Sequence, residues 1–197
     1  MKLKLEHRMD TVHREDAYRL LTEYTQSDNL IKHMLGVEAA MRAYARKDGH
    51  DEALWGITGL LHDFDYERWP NPDLDESGHP WTGVEILRER GYPEDMLDAI
   101  MGHAPFTNHA RTTPLAKTLF AVDELSGLIM AMGYVRPNNL EELKPKSVKK
   151  KLKDKAFARG VNRKDVQTGI EELRVDPTEH IQLVITAMQG IAQKLGF

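Results

Sequence analysis

Apolar residues recur every three or four positions along most of the chain, whereas the two-residue alternation typical of β-strands is nearly absent. This pattern predicts an all-α protein, a bundle of helices that each bury one face. Proline, glycine and short polar residues interrupt the apolar repeats and predict where helices begin and end. The expected helices lie at about 10–24, 29–47, 53–63, 81–90, 93–103, 114–132, 147–159, 162–173 and 177–191.

Several helix boundaries rest on particular residues. Asp10 is expected to cap the first helix, and Gly49 to end the second in the left-handed conformation. Pro93 stands where the first residue of the fifth helix is expected. The segment 176–179 combines an N-cap aspartate, a proline and a glutamate, and so predicts the start of the final helix.

The composition is that of a globular protein without sulfur ligands. The chain has 197 residues, 41% hydrophobic and 29% charged, which fits a single domain over residues 1–197. Its ligand-bearing core is expected at about 29–131, and a basic helical segment and a C-terminal helix at 136–197. Because the chain contains no cysteine, disulfides and thiolate metal ligands are excluded.

Charge and hydropathy suggest where the protein is located and what it binds. The first residues are basic but no apolar run follows them, and no stretch is expected to approach the length of a membrane span. We therefore expect a cytoplasmic protein with no membrane partner. The formal net charge of −4 makes nucleic acid an unexpected partner. The sequence makes no prediction of the oligomeric state.

Candidate metal ligands stand where the helical pattern calls for apolar residues. Each lies on the inward face, or at the end, of a predicted helix. They are His33, His62, Asp63, His79, His103 and Asp123. A buried aspartate is costly without a compensating charge, so a set of this kind favours a shared cation in the bundle core. A metal-free polar network is the alternative, and it would need a hydrogen-bond partner for every group.

The donor types restrict the metal and suggest the chemistry. Imidazole and carboxylate suit first-row divalent metals, so iron, manganese, cobalt, nickel and zinc all fit. Asp63 has two oxygens and is the natural bridge between two ions, which makes it the expected catalytic residue. Two divalent ions about 3.5–4 Å apart activate a water and neutralise a phosphoryl group. Asp65 and Glu124 are candidates for carboxylates that orient ligand histidines. His109 lies in a polar loop near the site in sequence, whereas His7, His13, His50 and His180 are expected at the surface.

The order His33, His62-Asp63, Asp123 resembles the H…HD…D pattern of the HD superfamily of metal-dependent phosphohydrolases. The segment 79–103, with His-x-x-x-Gly at its start, resembles the subgroup that adds two histidines for a second metal. The resemblance covers about residues 29–131. It implies an HD-domain helical bundle with the metal site in the bundle core.

The resemblance also implies a function. A metal-bound hydroxide would attack a phosphoester or phosphoanhydride of a small molecule or nucleotide. One ion would be held by His33, His62, Asp63 and Asp123, and the other by Asp63, His79 and His103. The HD-type hydrolases of symmetrical dinucleoside polyphosphates share this layout. The chain departs from the cyclic-dinucleotide branch, because it lacks Gly-Tyr-Pro after His103 and a lysine soon after Asp63. Cyclic di-GMP is therefore not an expected substrate.

Cations are needed for the non-reacting phosphate. The candidates lie just beyond the ligand helices or in the basic segment. They are Arg68, Lys117, Arg136 and Lys150. The segment 136–164 has 11 Lys or Arg against 3 Asp or Glu, a net +8, so the remainder carries −12. It is either a pair of solvated helices or an electropositive flap that folds over the pocket and attracts a phosphorylated ligand.

Two other functions stay open. Di-iron oxygenases related to myo-inositol oxygenase use the same six-ligand layout, which would imply C–C or C–P cleavage. A nucleotide- or RNA-binding module with structural metals is the third interpretation. Oxygen uptake by a reduced di-iron centre would identify an oxygenase, and salt-dependent RNA binding without turnover would identify a binding module.

Overall fold

The computed structural model describes residues 13–197. Within them the chain forms helices joined by turns, without β-strands, so the all-α prediction is confirmed. The predicted N-cap Asp10 lies outside the described residues. The helices are α1 (Arg14–Tyr24), α2 (Asp28–Asp48), α3 (Glu52–Leu61), α4 (Trp81–Glu89), α5 (Glu94–His103), α6 (Pro114–Val135), α7 (Pro145–Leu152), α8 (Arg163–Leu173), α9 (Pro177–Gln189) and α10 (Ala192–Leu195), with a 3-10 turn at Pro105–Thr107.

The two longest helices, α2 and α6, form the centre of the bundle. α2 packs against α3, α6 and α9, and α6 packs in addition against α5 and α8. α3 and α5 contact each other as well as α6. The predicted ligands on these elements therefore approach one region of the core.

α6 is apolar around most of its circumference, because neighbouring helices cover it on several sides. This helix of 22 residues is long and apolar enough to cross a membrane, by length and composition alone. Of its 18-residue apolar stretch, 67% is buried inside the molecule. The expectation that no stretch approaches the length of a membrane span is therefore wrong for α6. Its burial is that of a central core helix.

Local capping chemistry explains most of the observed boundaries. Ser27, Asp51, Thr113 and Asp176 each accept a hydrogen bond from a first-turn N–H with their side chains. Gly49 follows α2 with φ of 76°, the predicted left-handed conformation. At these boundaries a side chain or a glycine satisfies backbone groups that the helix leaves free.

Three predicted boundaries are wrong. α3 ends at Leu61 rather than Asp63, so both predicted ligands of this stretch lie at the turn that follows it. Pro93 is the N-cap of α5 and not its first residue. The helix predicted at 147–159 spans only Pro145–Leu152.

Arg163 explains why α7 ends early. Its guanidinium donates hydrogen bonds to the backbone carbonyls of Asp154, Phe157, Ala158 and Val161. Those carbonyls would be used within the helix if α7 continued, so the arginine stabilises a compact series of turns instead. These turns deliver the start of α8 to the ligand-bearing side of α6, against which α8 packs.

His180 is 1% exposed, so the prediction that it lies at the surface is wrong. The Tyr44 hydroxyl donates to its Nδ1 at 2.5 Å, and its Nε2 donates to the Ala121 carbonyl at 3.2 Å. Burial lowers the pKa of His180 to about 4. The neutral ring thus links α9 to α2 and α6 through the core.

Candidate metal centre

The six predicted ligands converge from three helices and two turns. They are His33 on α2, His62 and Asp63 directly after α3, His79 before α4, His103 at the end of α5, and Asp123 on α6. The four imidazoles are in contact, since the ring centroids of consecutive neighbours lie 5.2, 5.1 and 5.1 Å apart. The structure therefore brings together all six residues that the sequence singles out.

Asp63 lies in the middle of the cluster, and its two oxygens face different histidines. Oδ1 is 3.3 Å from His79 Nε2 and 3.2 Å from His103 Nε2. Oδ2 is 3.4 Å from His62 Nε2 and 3.8 Å from His33 Nε2. The carboxylate thus separates the imidazoles into two pairs.

Asp123 completes one of the two halves. Its Oδ1 lies 3.0 Å from His33 Nε2 and 3.4 Å from His62 Nε2. The ligand atoms of His33, His62 and Asp123 all lie within 4.8 Å of one another, and so do those of His62, Asp63 and His103. Either group is compact enough to hold a metal ion.

Hydrogen bonds on the far side of three rings fix which nitrogen faces the centre. Nδ1 of His62 lies 2.9 Å from the Gly59 carbonyl, and Nδ1 of His103 contacts the Ile100 carbonyl. Nδ1 of His79 lies 2.7 Å from Asp65 Oδ1. Carbonyl and carboxylate oxygens only accept, so Nδ1 carries the proton in each ring. When these rings are neutral, their Nε2 lone pairs therefore face the cluster centre, as metal coordination requires.

Asp65 holds His79 in place. The carboxylate is 1% exposed and also accepts a hydrogen bond from the Gly83 N–H at 2.8 Å. Gly83 permits this approach, because a Cβ there would lie 2.5 Å from Asp65 Cγ. Asp65 therefore has the position expected of a carboxylate that orients a metal ligand.

The cluster places opposite charges together out of water. Burial by itself lowers the pKa of His62, but Asp63 and Asp123 outweigh it and raise that pKa well above its usual value. Burial likewise acts to raise the pKa of both carboxyls, yet His62 and the other imidazoles hold both pKa values below the usual range. The site thus favours positive charge at its centre, supplied by protons on the imidazoles or by a metal ion in their place.

One buried atom tests whether a metal fits. His62 is 0% exposed, and its Nε2 has no hydrogen-bond partner in the described part of the chain. Leaving such a group unpaired costs about 1–3 kcal/mol. A divalent ion between His62 and the two carboxylates would supply the missing partner, and nitrogen and oxygen donors suit first-row metals. The residues therefore fit a divalent metal ion.

A family model for the HD domain matches residues 30–128, which contain all six ligands. The chain belongs to the HD-domain family. HD domains are generally metal-dependent phosphohydrolases, and the matched range agrees closely with residues 29–131, over which the sequence resembles them. No curated protein and no solved structure matches the chain.

A cavity of about 600 Å³ opens over the cluster of this HD domain. His62 lies below its floor, and the other five ligands line it. The rest of the wall comes from the turn after α3, the end of α5, α6 and the start of α8. It is formed by Tyr66, Ala104, Pro105, Phe106, Phe120, Glu124, Asn162, Lys164 and Asp165.

Glu124 has a different partner from the one expected. Its Oε2 accepts a hydrogen bond from the Asn162 N–H at 3.0 Å, so it joins α6 to the start of α8 instead of orienting a histidine. Burial, with a contribution from Asp123, raises the pKa of Glu124 to about 7. Glu124 therefore titrates near neutral pH beside the metal ligands.

The sequence prediction missed Asn162, Lys164 and Asp165 as wall residues. Asn162 caps α8 and accepts hydrogen bonds from the N–H groups of the other two. An N-cap signal was visible in the sequence, but it marks a helix start and not a position in space. Only this end of the basic segment 136–164 lines the cavity.

Arg68, the best placed of the predicted phosphate-binding cations in sequence, does not line the cavity. It donates a hydrogen bond to the Glu23 carbonyl at 2.5 Å, and its guanidinium lies 4.5 Å from the centre of the Tyr24 ring. Its charge is used to attach the turn after α3 to α1.

The other three predicted cations also lie elsewhere. Lys117 borders a separate cleft. Arg136 donates hydrogen bonds to the carbonyls of Asn139 and Glu141. Lys150 is exposed on α7, which packs against α9. Of the lysines and arginines in the described residues, Lys164 is the one that lines the cavity.

Proposed function

We propose that this HD domain is a phosphohydrolase that works with two divalent metal ions. The observation that supports the second ion is the position of Asp63. Its Oδ2 faces His62 and His33, while its Oδ1 faces His79 and His103. A carboxylate between two sets of nitrogen donors has the arrangement of a bridging ligand.

The ligands divide accordingly. His33, His62, Asp123 and Asp63 Oδ2 would hold one ion, and His79, His103 and Asp63 Oδ1 would hold the other. Bound divalent ions supply Lewis acidity toward a phosphoryl oxygen and lower the pKa of a coordinated water. With one carboxylate oxygen and two imidazoles, the second set leaves room for exogenous ligands.

The chain's own residues prepare the site for this chemistry. The carbonyls of Gly59 and Ile100 keep protons on the outer nitrogens of His62 and His103, and Asp65 does the same for His79. These acceptors fix the ring orientations before any ion binds, so less reorganisation is needed on binding. The imidazoles of His62, His79 and His103 are buried, and the cavity over the cluster gives a ligand access to five of the six predicted metal ligands.

A metal-by-substrate screen tests the proposal. Protein stripped with a chelator is reconstituted with manganese, iron, cobalt, nickel or zinc and assayed for phosphate release from mono-, di- and dinucleoside phosphates and from p-nitrophenyl phosphate. We expect hydrolysis with at least one metal, loss of hydrolysis in Asp123→Asn, and unchanged hydrolysis in Asp98→Asn, an exposed position on α5.

The same preparations separate the oxygenase interpretation from ours. Iron(II)-loaded protein is placed in an oxygen electrode chamber with the same compounds. We expect no substrate-dependent oxygen uptake. Oxygen uptake that is lost in Asp123→Asn, together with no phosphate release in the presence of any of the metals, would overturn the proposed function.

A further inference from the structure

Beyond the predicted metal ligands, the wall of the cavity has little positive charge. Lys164 is its one lysine or arginine among the described residues, and its ammonium forms no ion pair with residues 13–197. Asp165 follows it directly on α8, and Glu124 lies in the same wall. Apart from the two proposed metal ions, which would bind the reacting phosphoryl group, one ammonium and two carboxyl groups leave no net positive charge for a second or third phosphate.

Sites that bind polyphosphates have a different composition. They surround successive phosphates with several arginines or lysines, or with backbone N–H groups at helix starts. Two N–H groups in the first turn of α8 are not free for this purpose, because the Asn162 side chain accepts those of Lys164 and Asp165. Lys164 is thus suited to one phosphoryl group at a time.

Three aromatic residues, Tyr66, Phe106 and Phe120, form part of the remaining wall. Tyr66 is 49% exposed, and its ring stands edge-on to His79 with centroids 5.3 Å apart. Phe106 lies against Trp81, with centroids 5.7 Å apart, and follows Pro105 in the wall. Aromatic side chains beside a polar floor offer a surface on which a flat organic group can stack.

The volume agrees with a ligand of moderate size. Pockets of roughly 300–1,000 Å³ hold a single drug-sized molecule, and this cavity measures about 600 Å³. One nucleotide-sized compound fits that range.

We propose that the substrate is a phosphomonoester with a single phosphoryl group on a flat or aromatic organic group, and that Lys164 binds the phosphate while Tyr66 and Phe106 contact the organic group. Nucleoside monophosphates and aryl phosphates belong to this class, and nucleoside di- and triphosphates do not. The reaction adds water across the P–O bond and releases inorganic phosphate and an alcohol. This inference rests on the proposed function and specifies its substrate.

Steady-state kinetics with the metal-loaded protein test the substrate class. We expect kcat/KM for AMP to exceed that for ADP and ATP by at least about tenfold, and kcat/KM for glycerol phosphate to be lower than for AMP because it cannot stack. Asp165→Asn removes one repelling charge and should narrow the difference between AMP and ADP. ADP or ATP as the better substrate would overturn the inference and leave the phosphohydrolase proposal intact.

Equilibrium binding gives a second readout that does not depend on turnover. Calorimetry measures the affinity of the metal-loaded protein for inorganic phosphate, pyrophosphate and AMP. We expect phosphate to bind more tightly than pyrophosphate, and Lys164→Gln to weaken phosphate binding roughly tenfold, as the loss of one charged hydrogen bond predicts. Lys155→Gln, an exposed lysine of the same basic segment, is the matched control and should bind as the unmodified protein does.

The outcomes distinguish the two claims. If no phosphoester is hydrolysed with any metal, the proposed function fails. If hydrolysis occurs but Lys164→Gln binds phosphate normally, or Phe106→Ala binds AMP as tightly as the unmodified protein, the assignment of this wall fails and the proposed function stands.

Discussion

Replacing Asp65 by asparagine should weaken metal binding although Asp65 is not itself a predicted metal ligand. The carboxylate is buried and accepts two hydrogen bonds, from His79 Nδ1 at 2.7 Å and from the Gly83 N–H at 2.8 Å. An amide oxygen can keep one of these bonds. The amide NH₂ then faces the other donor, which is left unpaired.

The size of the effect follows from those two bonds. A buried donor without a partner costs about 1–3 kcal/mol in folding free energy. Loss of a carboxylate that orients a ligand histidine typically lowers metal affinity by roughly 10–100-fold, about 1.4–2.8 kcal/mol at about 1.4 kcal/mol per tenfold. The loss should fall mainly on the ion that His79 helps to hold.

Chelator competition measures the affinity of each ion, and urea unfolding of the metal-free protein measures the folding cost. Gly83→Ala is a second route to the same result, because its Cβ would displace the Asp65 carboxylate. Asp73→Asn, an exposed position in the same loop, should change neither quantity. If Asp65→Asn binds both ions within threefold of the unmodified protein, the orienting role assigned to Asp65 is wrong.

Three further predictions concern other parts of the molecule. Asp63→Ala should remove both proposed ions, whereas His103→Ala should remove only one of them. Elemental analysis of reconstituted protein measures the metal content, and equal losses in the two variants would contradict the bridging role. The free energy of unfolding should fall by up to about 3 kcal/mol more than in His180→Leu as the pH drops from 6.5 to 4. The reason is that the pKa of His180 is lowered from 6.5 to about 4 in the folded protein. Above pH 6.5 the ring is neutral in both states, and below it the unfolded chain takes up the proton first. Urea unfolding across this range would refute the prediction if the difference between the two proteins did not change with pH. Gly169→Ala should reduce the unfolding free energy by about 1–3 kcal/mol, since its Cβ would lie 2.5 Å from Ala121 Cα between α8 and α6; Gly160→Ala, with nothing within 4 Å of the added Cβ, should be nearly neutral, and equal effects in the two would refute the packing argument.

The convergence of the six predicted ligands could be foreseen from the sequence because its signal is local. Each of them is expected to interrupt an apolar face or to lie at a helix end, and the structure places all six in helices or in the turns next to them. Two polar residues show this signal clearly: His33 lies on α2 near the buried Met34 and Val37, and Asp123 lies on the apolar helix α6. In one small bundle, several inward-pointing polar side chains from neighbouring helices necessarily lie close together.

The cavity wall could not be predicted because its signal is long-range. Arg68 lies five residues after Asp63 in sequence, yet its guanidinium turns away to the Glu23 carbonyl. Lys164 lies about forty residues after Asp123 and reaches the cavity because α8 packs closely on α6. Nearness to a ligand along the chain says little about the direction in which a long side chain points.

His180 shows the same limit for the core. Its buried position depends on Tyr44, 136 residues earlier in the chain, and on the carbonyl of Ala121. Both ring nitrogens find partners, so the ring is buried at little cost although histidine is usually more exposed. The end of α7 is a similar case, because Arg163 satisfies carbonyls that helical propensity assigns to the helix.

A titration of activity with metal tests the central claim most directly. Metal-free protein, at a concentration well above its metal dissociation constants, receives increasing manganese, and the rate of p-nitrophenyl phosphate hydrolysis is measured after each addition. We predict that the rate rises to a maximum at two ions per chain, because the two oxygens of Asp63 serve separate sets of histidines. A maximum at one ion per chain, or hydrolysis that persists in the metal-free protein, would contradict the account.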